Sequence, residues 1–99
     1  MSTYTPTIMP TETVAVPDFS VANVSEVSIQ ATNLDGTQTV DLSIYAALGT
    51  ESLALTSISD LTSIGPGVAR VAQVNTRNLS RLEVRGTSTG AALVRLVVV

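Results

Sequence analysis

From Val24 onward the chain alternates apolar and polar residues with a period of two, a pattern that dictates strands. Val27, Ile29 and Ala31 fall on one side, and Ser28, Gln30 and Thr32 on the other. Val40, Leu42, Ile44 and Ala46 then alternate with Asp41, Ser43 and Tyr45. Successive side chains of a strand point to opposite faces, so this alternation marks strands buried on one side. Fourteen valines, with twenty-five serines and threonines, act in the same direction. Branching at Cβ restricts χ1 and suits a pleated surface better than a helix. Asn33-Leu34-Asp35-Gly36-Thr37 separates the two alternating runs. Asp-Gly tolerates positive φ at the centre of a tight turn, so the runs are expected to form a hairpin.

The pattern continues to the end of the chain. Leu53 and Leu55 mark a short strand over residues 51–57. Ile58, Leu61 and Ile64 are spaced by three, which fits a helical turn, or a loop or short strand before Gly65-Pro66-Gly67. Residues 68–74 read as a strand with Val68, Ala72 and Val74 on the face that also carries Arg70. Residues 75–78 read as a turn. Leu82 and Val84 are expected to face inward while Arg81, Glu83 and Arg85 face out. Residues 86–90 read as a turn and 91–99 as the last strand. Its closing Val94-Arg95-Leu96-Val97-Val98-Val99 is apolar on both sides, which places it inside a sheet or under a partner, because a free edge of this kind aggregates. Short strands about ten residues apart, with turns between them, predict one all-β domain, an antiparallel β-sandwich that is jelly-roll-like or Ig-like.

The first twenty residues differ in texture. Pro6, Pro10 and Pro17 forbid a regular helix and a central strand, because proline lacks the N–H that either would use. Ile8, Met9, Val14, Val16 and Phe19 give the segment more apolar anchors than a disordered tail carries. Residues 1–22 are therefore expected as an extended Pro/Thr-rich arm along a surface, such as that of a neighbouring subunit. Residues 23–99 are expected to form the sandwich. The plainer alternative is a first edge strand with a frayed terminus.

Charge excludes most chemistry. The chain has no lysine, histidine or cysteine; its five basic residues are arginines between Arg70 and Arg95. Seven of its eight acidic residues lie in the first sixty positions. Without histidine or lysine, no serine has an evident activating base, so the chain is not expected to be an enzyme. A thiolate metal site and a disulfide framework are both impossible. Asn33, Asp35 and Asp41 are better suited to turns than to calcium, and Gly65-Pro66-Gly67 lacks the lysine of a phosphate loop. No metal, cofactor, nucleic-acid or membrane partner is expected. The start has neither a basic region nor an apolar run of signal-peptide length, which predicts synthesis in the cytoplasm. Segregation of acid from arginine predicts a bipolar surface, with Arg77, Arg81, Arg85 and Arg95 meeting the acidic side of another subunit. The plainer reading is a solvated face whose ion pairs contribute ~0–1 kcal/mol each.

Residues 24–99 resemble the small β-sandwich decoration, or cement, proteins that tailed bacteriophages carry on their heads. The resemblance rests on an Ala-, Thr- and Val-rich body behind a proline-rich start, without cysteine and with few aromatics. Residues 78–90, Asn78-Leu79-Ser80-Arg81-Leu82-Glu83-Val84-Arg85-Gly86-Thr87-Ser88-Thr89-Gly90, also look like the closing hairpin of phage structural sandwiches. The resemblance implies a structural virion protein made in the host cytoplasm that binds the outside of a capsid and bridges capsomers. It further implies two partners, the major capsid protein and copies of the chain itself, as trimers. The arm residues Tyr4, Ile8, Met9, Val14, Val16 and Phe19 would then join the arginines as contacts. The alternatives are a carbohydrate- or receptor-binding module, and a fibre or filament subunit joined through its N-terminal arm.

Overall fold

The alternating segments fold as strands of two facing sheets in a computed structural model that describes residues 2–48 and 55–99. In chain order they are β1 (Ser2–Tyr4), β2 (Thr7–Ile8), β3 (Thr13–Ser20), β4 (Glu26–Asn33) and β5 (Val40–Leu48). β6 (Thr56–Ile64), β7 (Ala69–Asn75), β8 (Leu79–Ser88) and β9 (Ala92–Val98) follow. The first sheet has the order β1-β9-β4-β7, with β2 continuing the line of β1 along β9, and the second has the order β3-β8-β5-β6. Every pairing is antiparallel. Of consecutive strands only β5 and β6 pair; all later connections and those from β2 to β5 cross between sheets. With β1 and β2 counted as one interrupted strand, this is the jelly-roll order, and it decides against the Ig-like alternative.

The core is aliphatic and draws on both inner faces. Ile29, Ala31, Val94 and Leu96 of the first sheet are fully buried, as are Leu42, Ile44, Leu82 and Val84 of the second. The alternation read for β4, β5 and β8 holds residue by residue. β9 lies between β1/β2 and β4, so it is no free edge; one of its faces is buried in the core and the other is largely exposed.

The expected hairpin between residues 24–32 and 40–46 does not form. Both strands exist, but β4 belongs to the first sheet and β5 to the second. Gly36 does not adopt positive φ; among the described glycines only Gly67 does, at 73°. Side chains turn the corner instead. The Asp35 carboxylate accepts the backbone N–H of Thr37 at 2.9 Å and of Gln38 at 2.8 Å. The buried Asn33 side chain accepts the N–H of Asp35 at 2.9 Å and donates to the carbonyls of Gln38 at 2.7 Å and Ile64 at 3.0 Å. One amide thus ties the end of β4 to the end of β6 in the other sheet. The two backbone donors hold the Asp35 carboxyl below its ordinary pKa of 3.8. A carboxylate depressed by folding stabilises the fold above its unfolded pKa, and loses that contribution as pH falls through the folded value. The expected result is a stability that declines below pH 3.8, with a smaller decline in Asp35→Ala. Urea unfolding across that range checks it.

Of the alternatives for Ile58, Leu61 and Ile64, the strand holds, and the spacing of three is neither a helical turn nor a loop. It comes from bulges in β6. Val40 pairs with Ile64 and Leu42 with Leu61, so Thr62 and Ser63 together oppose Asp41. Ser63 takes φ of 55° there, and its N–H donates to the Asp41 carboxylate at 2.7 Å. Leu61 and Ile64 both point inward as a result, while Ile58, at the second bulge, is exposed. The expected strand over 51–57 lies mostly outside the described residues. Val68, expected on the same strand face as Ala72 and Val74, precedes β7 and is exposed, while β7 buries Ala72 and Val74.

Residues 86–90 are not all turn, since β8 runs on to Ser88. Gly86 sits inside the strand because a Cβ there would lie 2.5 Å from Leu42 Cδ2 and 3.0 Å from the Asp41 carbonyl oxygen. Its glycine serves close packing rather than turning.

The first twenty residues are extended, as expected, but they do not stand apart as an arm. β1 and β2 form an edge of the first sheet against β9, and β3 forms an edge of the second against β8. Pro17 fits because β3 is an edge strand with two register shifts, between Val14 and Val16 and between Val16 and Phe19. Ile8, Ala15 and Val16 are core residues, and Tyr4 and Phe19 pack against the core. The Ser88 N–H donates to the Met9 carbonyl and the Val94 N–H to the Pro6 carbonyl, both at 3.0 Å. The described part of residues 1–22 therefore belongs to the sandwich.

Candidate protein-binding faces

Alternation along each strand gives the slab, 40 × 24 × 18 Å, two outer faces of opposite character. The second sheet carries the charge. Arg81, Glu83, Arg85 and Thr87 alternate outward along β8, beside Asp41, Ser43 and Tyr45 of β5. Arg81 pairs with Asp18, which the bulge of β3 brings alongside. The Arg85 guanidinium donates to Glu83, lies 3.6 Å from the Glu12 carboxylate, and stacks 4.2 Å from the Tyr45 ring centroid. The hydrogen bond to Glu83 holds Arg85 protonated even more firmly than usual. At the edge, the Ser43 hydroxyl donates to Asp60 at 2.8 Å. Glu12, Asp41, Ser43, Tyr45 and Arg85 line a shallow recess of about 70 Å³, room for little more than bound water.

This arrangement overturns the bipolar surface. Glu12, Asp18, Asp41, Asp60 and Glu83 share one face with Arg81 and Arg85. The acidic early chain and the arginine-rich late chain meet inside one molecule because β3 and β5 flank β8. Among the described residues, five carboxylates against two guanidinium groups leave this face with an excess of negative charge. The four arginines expected as one contact surface are dispersed: Arg81 and Arg85 lie here, Arg95 lies on the opposite face, and Arg77 is exposed in the β7–β8 turn.

The first sheet presents a nearly uncharged face. Leu93, Arg95, Val97 and Val99 point outward from β9 and its end, with Ser28, Gln30, Thr32 and Leu34 beside them from β4. Ala69, Val71 and Gln73 continue the surface on β7, and Thr3 and Thr7 on the other edge. Arg95 and, at the far end, Glu26 are the charged residues of this face among those described. Leu34, Leu93, Val71 and Val99 are 44–67% exposed. None of the four was expected as a contact residue, although the closing run read as apolar on both sides contains Val99.

Of the expected arm contacts, Ile8 and Val16 are wholly buried in the chain's own core, and Tyr4 and Phe19 are half-buried against it. Met9 and Val14 remain exposed, at 44% and 50%. Among the described residues, no cluster of acidic side chains could hold a metal ion.

No protein-family model matches the sequence, and no curated protein matches it. Among solved structures the fold is similar to that of YomS, a protein derived from the SPBc2 prophage. The TM-score is 0.58 at 13% identity, over 99% of this chain and 94% of that one. It is also similar to a protein of Bacillus endospore appendages, described as disulfide-linked pili. There the TM-score is 0.51 at 12% identity, over 98% of this chain and 81% of that one. Both likenesses extend along nearly the whole chain and show a shared β-sandwich fold.

Proposed function

We propose that this chain is a structural virion protein, not an enzyme, that binds the outside of a phage capsid and stabilises it by bridging capsomers. The observation that carries the reading is the division of the slab into two faces. One face is broad, nearly uncharged and studded with exposed aliphatic residues, which suits burial against protein. The other keeps its arginines paired with its own carboxylates and retains excess negative charge, which suits exposure to solvent. The prophage origin of YomS fits this setting. Many copies, each contributing a modest interface, would together resist the pressure of packaged nucleic acid. The partners are the major capsid protein and copies of the chain, and the working location is the capsid surface.

The similarity to an endospore pilus protein favours a second reading, a filament subunit. Without cysteine this chain would have to join its copies non-covalently. A glycan-binding module is disfavoured, because the Tyr45 ring is covered by Arg85 and offers no open platform for a sugar.

The test uses the intact chain, since its N-terminal strands are part of the fold. Capsids produced without the chain are mixed with it, and binding and heat resistance are measured. Saturable binding with a raised temperature of capsid rupture is expected, both lost in Leu93→Glu/Val97→Glu. Absence of binding, together with unlimited polymers of the chain alone, would replace this reading with the filament.

A further inference from the structure

We propose that β7 is a docking edge for a second copy of this chain, joined antiparallel about a two-fold axis so that the first sheet runs on through both molecules. Each sheet ends in two edge strands, and three of these four edges are protected against pairing. The β1/β2 edge holds only three and two paired residues, with Pro6 between them. β3 carries Pro17 and two register shifts. β6 carries two register shifts, Asp60 and the positive φ of Ser63. β7 has no proline, no register shift and no strained residue, and its single charge, Arg70, sits near one end. Its seven residues pair with β4 without a break, from Glu26 opposite Asn75 to Thr32 opposite Ala69, and it contains no acid.

The hydrogen-bond phase shows what this edge offers. Asn33 N–H donates to the Val68 carbonyl and Thr76 N–H to the Ser25 carbonyl, each at 3.0 Å. Even-numbered residues of β7 therefore bond to β4. Ala69, Val71, Gln73 and Asn75 turn their N–H and C=O groups toward the free side. These are the groups an antiparallel copy needs. With the axis at Ala72, Val71 faces the copy's Gln73 and Ala69 faces its Asn75, and all seven residues pair, giving about eight new hydrogen bonds. Charge permits the match, because each Arg70 faces a Val74 and the two arginines lie at opposite ends of the seam. Val71 is 60% exposed. In this register the two Val71 side chains become diagonal neighbours across the seam and shield one another.

This pairing deepens the assembly reading and rests on it only in taking a copy of the chain as partner. It is two-fold, where the resemblance implies trimers; an edge that pairs with itself is used up by one copy.

Sedimentation of the full chain from about 10 µM to about 1 mM tests it. The expected result is a mass of two 10.3 kDa chains at the upper end. Hydrogen exchange at the Val71 and Gln73 amides should slow as concentration rises. Gln73→Pro removes an outward N–H and leaves the β4 ladder whole, and Val71→Lys places two like charges across the seam. Each should weaken association at least tenfold with the circular dichroism spectrum unchanged; if the proline variant does not fold, the lysine variant decides. A monomer throughout, a three-chain mass, an open polymer, or a dimer indifferent to both substitutions overturns the pairing. A monomer that still binds capsids would defeat this pairing alone. A dimer that ignores capsids would defeat the capsid role alone.

Discussion

Deletion of residues 1–20 is expected to unfold the chain rather than trim it. The segment supplies an edge strand to each sheet and places Ile8, Ala15 and Val16 in the core. Withdrawing a fully buried Ile or Val side chain costs about 1.5–3 kcal/mol. Tyr4 and Phe19 add partial burial, and the deletion uncovers the lengths of β8 and β9 that now lie beneath β1 to β3. The combined loss approaches the roughly 5–15 kcal/mol that holds a domain of this size together. Circular dichroism on heating should show no cooperative transition for the truncated chain. A transition within a few degrees of the full chain would mean that the segment is a detachable arm after all.

The second large effect is expected at Asn33, a polar residue at 0% exposure in an aliphatic core. Its amide satisfies three backbone groups, the N–H of Asp35 and the carbonyls of Gln38 and Ile64. Asn33→Ala leaves them without that partner and opens a cavity where the two sheets are tied. An unsatisfied buried backbone group costs about 1–3 kcal/mol, so a loss of about 3–5 kcal/mol is expected. Asn33→Asp should not rescue it, because a carboxylate cannot donate to two carbonyls and would be charged in a dry site. Urea unfolding measures both. A loss below about 1 kcal/mol for Asn33→Ala would show that water replaces the amide, and that the corner is held by Asp35 instead.

These two sites also mark where the sequence stops being legible. Asn33 and Asp35 read as hairpin residues because their type favours turns, and a turn is what they make. Whether the chain folds back on itself or crosses to the other sheet depends on where the Asn33 amide finds its acceptors. One of them, the Ile64 carbonyl, lies 31 residues away. The spacing of Ile58, Leu61 and Ile64 was similarly ambiguous, because a bulge shifts the inward phase by one residue and imitates a helical period. The arginine surface failed for a related reason. Charge segregation along the chain says nothing about charge in space once β3 and β5 flank β8.

The sequence by itself determined the all-β class, the lack of lysine, histidine and cysteine, most strand positions and the inward residues of β4, β5 and β8. All of these follow from side-chain type and a two-residue period, both local properties. Tertiary structure decided which strands pair, that the proline-rich start is part of the sandwich, that arginines and an excess of carboxylates share one face, and that β7 is an unpaired edge among the described residues. Pairing is made by backbone hydrogen bonds between segments far apart in the chain. Those bonds are blind to side-chain identity, so the pattern that marks a strand does not name its neighbour.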